Sequence, residues 1–423
     1  MKCQLGVLTV VLSMLLFACM GKPAAGQNRG SQPTADPGAD SKQEVVPLNE
    51  QDVIVGLNTF TLDLFRMMLA EEAPATNTIV SPYSVATALA MAYAGARGQT
   101  ADEMSQTLHF SGNTPAFHQA LGKVGTELTS SQEYQLLVAN ALWPSKQYTL
   151  LESYLTSMRN AYKTELSTLD YAGEAEASRE TINTWVEEKT NDRILDLIPE
   201  GSLDAATQLV ITNAIYFKGL WLTQFKEERT QDMPFHLLDG NSIDVPMMQQ
   251  RGEFQYTETD WYQAVELGYQ GDKIAMVILL PKDAKDLARV MSELSPDFMH
   301  AALTGLAKRN IDLLLPRFTI KAKYFMTELL SSMGMPTAFT GSADFSGMSG
   351  VRDLFISDVI HQAFIEVNEE GTEAAAATGV IMEKTAIMIP PRFQADHPFV
   401  FLIRDKESGC ILFTGVLAKP EGH

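Results

Sequence analysis

The stretch that decides the reading of this chain is Glu369-Glu370-Gly371-Thr372-Glu373-Ala374-Ala375-Ala376-Ala377-Thr378-Gly379. It lies near the C-terminus, between two apolar strand-like segments. Four consecutive alanines are unusual there, because Ala is the best intrinsic helix former and is depleted in strands. Taken alone, the stretch reads as a short exposed helix, with Thr372 as N-cap and glutamates close by. Taken with period two, it reads differently. The even positions Thr372, Ala374, Ala376, Thr378, Val380 and Met382 are all small or apolar, while Glu373 and Glu383 fall on odd positions. Successive strand side chains point to opposite faces. The segment can therefore enter a sheet with one face buried and no charge trapped inside.

The 423-residue chain is 45% hydrophobic and 20% charged, an ordinary globular composition. Length alone gives a prior of two or three domains. No Pro-, Gly- or Ser-rich linker interrupts the chain after about residue 47, so one large domain is expected. The net charge of −20 argues against nucleic acid and acidic polysaccharide as partners. Its plain consequence is solubility.

The N-terminus reads as a targeting segment. Lys2 is a short basic region, and the apolar run 5–17 is too short to span a bilayer comfortably. The run ends in Leu16-Phe17-Ala18-Cys19, which resembles the lipobox of bacterial lipoproteins; the alternative is an ordinary secretory signal. A lipobox implies removal of residues 1–18, lipid on Cys19, and a place in the bacterial cell envelope, on the outer membrane or the cell surface. Residues 19–47 are rich in Gly, Pro, Ala, Ser and Gln and read as a flexible tether. Such a tether reaches roughly 30 Å. Residues 48–423 form the expected domain. Within it Cys410 is the lone cysteine, so no intrachain disulfide is available. In the run Cys410-Ile411-Leu412-Phe413 it reads as a small buried hydrophobe rather than a nucleophile.

Helices are predicted over 50–72, from Ser81-Pro82 to about Tyr93, and over 100–107, 115–130, 152–161 and 179–198. Strands are predicted over 135–142, 209–217, 264–269, 274–280, 310–316, 355–359, 363–367, 399–404 and 411–417. Helices cluster early and strands late, so the fold class is α+β.

Several phrases then fall in one order. They are Asn77-Thr78-Ile79-Val80-Ser81-Pro82-Tyr83-Ser84, Gly95-Ala96-Arg97-Gly98-Gln99-Thr100 and Ala139-Asn140-Ala141-Leu142-Trp143. Next come Ile182-Asn183-Thr184-Trp185-Val186, Asn213-Ala214-Ile215-Tyr216-Phe217-Lys218-Gly219-Leu220-Trp221 and Val245-Pro246-Met247-Met248. Leu315-Pro316-Arg317-Phe318, the opening stretch and His397-Pro398-Phe399 complete the set. Over residues 50–420 the chain resembles the serpin family of protease inhibitors.

The resemblance implies three β-sheets, eight or nine helices and an exposed reactive loop at about 371–389. A protease attacks one bond of that loop and forms an acyl-enzyme. The loop then enters the largest sheet as a new strand and distorts the protease before water releases it. Glu370, Gly371, Thr372, Glu373, Ala374, Ala375, Ala376, Ala377 and Thr378 match the hinge of the loop. Ser81, Ser84, Asn213 and His361 match a polar gating cluster beneath the sheet. Trp221 matches the aromatic where the loop first enters.

The bond attacked sets specificity. Counting from Gly371 places Thr385 on its acyl side, whereas counting back from Pro391 and Pro398 points nearer Ile387. The register therefore lies between Met382 and Ile387. Lys384 is the only basic residue there, which makes Lys384-Thr385 the first choice and a trypsin-like enzyme the first target. Met382 or Ile387 would serve chymotrypsin-like, elastase-like or subtilisin-like proteases. The run 117–132, matching the heparin-binding helix of some serpins, contains only Lys123 as a cation, so no polyanion activation is expected. The chain is expected to act as a monomer.

Sites for enzymatic chemistry do not emerge. His118, His236, His300, His361 and His397 show no paired metal-ligand spacing. There is no Gly-x-Ser-x-Gly, P-loop or Gly-x-Gly-x-x-Gly motif. No cofactor or metal is expected. The alternatives to an inhibitor are a non-inhibitory serpin acting as carrier or chaperone and an unrelated lipoprotein enzyme or adhesin. Bulky, charged or Pro-containing hinges would favour the carrier, and this hinge has none.

Overall fold

A computed structural model describes residues 48–71, 76–164, 166–372 and 390–421. The strands in chain order are β1 (Thr78–Val80), β2 (Tyr134–Pro144), β3 (Leu209–Leu220), β4 (Gln231–His236), β5 (Ser242–Glu258), β6 (Tyr262–Gly268) and β7 (Ile274–Pro281). They continue with β8 (Ala307–Pro316), β9 (Phe318–Phe325), β10 (Asp358–Val367), β11 (Gly371–Thr372), β12 (Arg392–Gln394), β13 (Phe399–Asp405) and β14 (Ile411–Leu417).

The first sheet runs β2-β3-β10-β9, with β11 alongside one end of β3. Its two middle strands, β3 and β10, are parallel; the other pairings are antiparallel. The remaining nine strands follow the order β1-β14-β13-β7-β6-β5-β8-β12, with β4 on β5. The 17-residue β5 joins two groups there. It pairs β4 and β8 along most of its length and β6 at its end. The three sheets of the resemblance thus appear as the first sheet and two strand groups continuous through β5.

Ten α-helices lie among the described residues. They are α1 (Glu50–Glu71), α2 (Pro82–Gly95), α3 (Gly98–Thr107), α4 (Pro115–Thr129), α5 (Glu152–Tyr162), α6 (Tyr171–Lys189), α7 (Leu287–Glu293), α8 (Pro296–Thr304), α9 (Thr327–Met333) and the four-residue α10 (Ser346–Ser349). In α1 the spacing of Val53, Leu57, Phe60 and Leu64 puts all four in the core. In α2, Ser81 caps the helix by accepting from the Ser84 amide at 3.3 Å, and Pro82 occupies the first turn. Nearly all of α2 is buried, because it touches β2 and β3 on one side and β14 on the other. Its N-terminus therefore sits directly beneath the middle of the first sheet.

Three expectations shift. The helix predicted over 179–198 spans Tyr171–Lys189 instead. Asp170 opens it by accepting from the Gly173 amide at 3.0 Å. It ends where Asn191 and Asp192 take positive φ of 51° and 59°. Ile194, Leu197 and Ile198 had prolonged the apolar pattern; they pack as an irregular segment with Trp143, Ile182 and Val186. The strands predicted at 355–359 and 363–367 merge into the single β10, which begins only at Asp358 and leaves 355–357 outside any strand. Finally, β4, β5 and β9 carry weak strand signals; β5 contains Pro246 and Gly252, and it is held by its pairing with β8 rather than by its own propensity.

Candidate functional site

The first sheet carries one polar row. Register places Asn140 of β2 beside Asn213 of β3, Asn213 beside His361 of β10, and His361 beside Tyr324 of β9. His361 is fully buried, and burial lowers its pKa to about 3, so the ring is neutral. Its Nε2 accepts from the Ser81 amide at 3.1 Å, so the proton sits on Nδ1 and is donated to Asn213 Oδ1. Asn213 Nδ2 then donates to Ser84 Oγ at 2.6 Å and to Asn140 Oδ1. The Ser84 hydroxyl donates to Asn140 Oδ1 at 2.9 Å, and Asn140 Nδ2 returns to the Ser84 carbonyl at 3.0 Å. The Ser81 hydroxyl donates to the Leu412 carbonyl of β14 at 2.5 Å. The network fastens β3, β10, α2 and β14 together beneath the two parallel strands.

The second cluster lies at the Leu220 end of β3. Here β10 and β3 cease to pair after Phe364↔Tyr216. β11 takes the place beside β3 instead, with Gly371↔Leu220 and Thr372↔Gly219. Gly371 has a φ of +150°, and a Cβ there would lie 2.1 Å from the Gly219 carbonyl oxygen. Only glycine fits that approach. Thr372 is 1% exposed, and its hydroxyl lies 3.0 Å from that of Tyr269. Tyr269 in turn stacks on Trp221 at 4.5 Å. The Trp221 amide donates to the Glu370 carbonyl at 2.8 Å, and its indole donates to the Asn368 carbonyl at 2.9 Å. Glu369 is buried and bound by Arg317 Nε at 2.7 and 2.8 Å, and the Thr230 hydroxyl also donates to it. Burial works to raise the Glu369 pKa, but the hydrogen bonds from Arg317 and Thr230 outweigh it and hold the carboxyl below its usual value.

The structure thus brings Ser81, Ser84, Asn213 and His361 together. It places Trp221 apart from them, with Glu370, Gly371 and Thr372. Glu373 to Thr378, Met382, Lys384, Thr385, Ile387 and Cys19 lie outside the described residues. Asn140, Tyr269, Arg317, Asn368 and Glu369 join these clusters without having been singled out. Asn140 and Arg317 stood inside quoted phrases, but their partners are 73 and 52 residues away. Cys410 is buried, which pushes its thiol pKa up and leaves it protonated. Lys123 is exposed and paired with Glu50 at 2.5 Å and with Glu127 at 3.6 Å.

The fold is α+β, with a first sheet whose middle strands separate at one end, where β11 lies beside β3. A family model described as Serpin (serine protease inhibitor) matches residues 55–420. A serpin-like protein of Thermococcus kodakarensis is 39% identical over 431 residues, covering 98% of this chain and 99% of its own. Leukocyte elastase inhibitor of Bos taurus is 41% identical over 370 residues, covering 85% of this chain and 97% of its own. Among solved structures, Serpin48 of the insect Tenebrio molitor superposes with a TM-score of 0.79 at 31% identity, over 88% of this chain and 99% of its own. Human thyroxine-binding globulin, complexed with thyroxine, superposes with a TM-score of 0.80 at 28% identity, over 88% of this chain and 100% of its own. The chain belongs to the serpin family.

Proposed function

We propose that the protein is a suicide-substrate inhibitor of serine proteases, and of papain-like cysteine proteases by the same acyl-enzyme chemistry. The observation that carries this reading is the register of β11. If the pairs Gly371↔Leu220 and Thr372↔Gly219 were continued along β3, insertion would set Ala374 opposite Phe217, Ala376 opposite Ile215, Thr378 opposite Asn213 and Val380 opposite Ile211. Phe217, Ile215 and Ile211 face the main core and are fully buried. Directly opposed residues in an antiparallel pair share a face. The small even-numbered side chains would therefore turn inward, and Glu373 would lie on the other face, opposite Lys218. Thr378 would bring a hydroxyl into the polar row just as the bond between His361 and Asn213 is broken.

Speed matters as much as fit. Acyl-enzymes turn over at roughly 1 to 10³ per second, so insertion must be faster. An inward charge would slow it, because burying an unpaired charge is costly. A carrier, of which the thyroxine complex is one example in this fold, requires no such inward face. We place the attacked bond at Lys384-Thr385, with trypsin-like enzymes as first targets, and the domain on a lipid anchor at Cys19. Mixing the protein with a panel of serine proteases tests the function. Protease complexes that survive denaturation support it, and cleavage without any such complex refutes it. A mature protein with no lipid mass on Cys19 would refute the anchor.

A further inference from the structure

We infer that Asn368 is the positioning residue that fixes the register in which the loop enters the sheet. This deepens the inhibitory reading and rests on it. The turn from β10 into β11 comprises Asn368, Glu369, Glu370 and Gly371. In an ordinary tight hairpin the two flanking residues exchange both backbone hydrogen bonds. Here one of the two is present, since the Asn368 amide donates to the Gly371 carbonyl at 2.9 Å. The Asn368 carbonyl does not make the reverse bond; it accepts from the Trp221 indole at 2.9 Å. The side chain supplies a second acceptor. Asn368 Oδ1 receives the Gly371 amide at 3.2 Å and the Glu370 amide at 3.1 Å. The Glu369 and Glu370 carbonyls are occupied in turn by the Phe225 amide at 2.9 Å and the Trp221 amide at 2.8 Å.

The residue at 368 thus needs two acceptors: a carbonyl for Trp221 and a side-chain oxygen to close the turn. Only a short acceptor side chain such as that of Asn or Asp reaches its own backbone two and three residues on. Without it, the Glu370 and Gly371 amides lose the acceptor that closes the turn, leaving the bond from the Asn368 amide to the Gly371 carbonyl as its backbone bond. Gly371 would then no longer be held opposite Leu220. A slip of one residue turns the whole even-numbered face outward and Glu373 inward. Asn368 therefore acts on the partition of the acyl-enzyme between trapping and release, not on protease encounter.

The test uses the full chain and two substitutions. Asn368→Ala removes the acceptor; Asn368→Asp keeps it. Hydrogen exchange at the amides of 369–372 reads the turn, with exchange in β14 as the folding control. The number of inhibitor molecules consumed per trypsin trapped reads the partition. For Asn368→Ala, which removes both bonds to Oδ1, we expect faster exchange and a rise in consumption of at least about fivefold, the factor for a single lost hydrogen bond. The association rate should stay unchanged, and Asn368→Asp should match wild type in both readouts. Unchanged exchange in Asn368→Ala, faster exchange with unchanged consumption, or an Asp variant that behaves like Ala would each overturn the inference. If wild type traps no protease, the inhibitory reading fails, and exchange alone then decides whether Asn368 pins the turn.

Discussion

Replacing Thr372 by Arg probes the insertion route at its first inward residue. Thr372 is 1% exposed, its hydroxyl lies 3.0 Å from that of Tyr269, and Tyr269 is stacked on Trp221 at 4.5 Å. The partner of the Thr372 hydroxyl is the Tyr269 hydroxyl, so a guanidinium placed there would be buried beside the stacked Tyr269 and Trp221 rings. The effective penalty for burying such an ion is several kcal/mol. Thr372 is already seated opposite Gly219, so the intact fold avoids that cost only by expelling the Arg side chain and unpairing β11. Reseating it as the loop enters then adds the penalty to the insertion step, and even about 3 kcal/mol there slows it roughly a hundredfold. The rate of acyl-enzyme hydrolysis, which depends on the protease, is untouched. The expected outcome is conversion of inhibitor to substrate: the loop is still cut at the same bond, and the stable complex disappears. Gel electrophoresis under denaturing conditions counts both products in one experiment. Undiminished complex formation by Thr372→Arg would show that burial of the side chain at 372 is not required for trapping.

The remaining expectations concern specificity, stability and pH. Lys384→Ala should lose trypsin inhibition by orders of magnitude, because the protease pocket keeps an unpaired carboxylate; a released C-terminal peptide beginning at Met388, with trypsin inhibition intact, would assign the bond to Ile387 instead. Gln362 in β10 is fully buried and neither of its amide atoms has a partner among the described residues. A buried unpaired polar group costs about 1–3 kcal/mol, so Gln362→Leu should raise the melting temperature of the intact form, and an unchanged value in calorimetry would refute that. Burial lowers His361 to about 3 and His118 to about 4, both below the ordinary 6.5. Between about pH 6.5 and 4 the unfolded chain therefore binds protons that the folded one refuses, and each histidine removes about 1.4 kcal/mol of stability per unit fall in pH. His118→Gln should flatten the acid limb of a stability–pH curve by one proton; an identical slope would contradict the assignment.

Much of this architecture was legible because it is local. The pattern of Val53, Leu57, Phe60 and Leu64, the Ser81-Pro82 cap and the alternation from Thr372 to Met382 are each written in adjacent residues. The α+β class and the family follow from phrases in order. What could not be read depends on pairing between distant segments. Asn140 belongs to the polar row only because register sets it beside Asn213. Glu369 and Arg317 meet because β10 and β9 are neighbours. Asn368 looks like any turn residue until the Trp221 indole is seen on its carbonyl. The displaced boundary of α6 has the same origin, since Ile194, Leu197 and Ile198 keep a helical spacing but are packed under the helix rather than within it.

The central claim is that the intact fold holds back a strand it is built to receive. The most direct measurement is the melting temperature of the protein before and after its loop is cut by a protease that it does not trap. In a domain of this size one kcal/mol shifts the midpoint by only about 2–4 °C. Seating a whole strand between β3 and β10 should raise it by roughly 10 °C or more. A cut form that melts at or below the intact one would contradict the account.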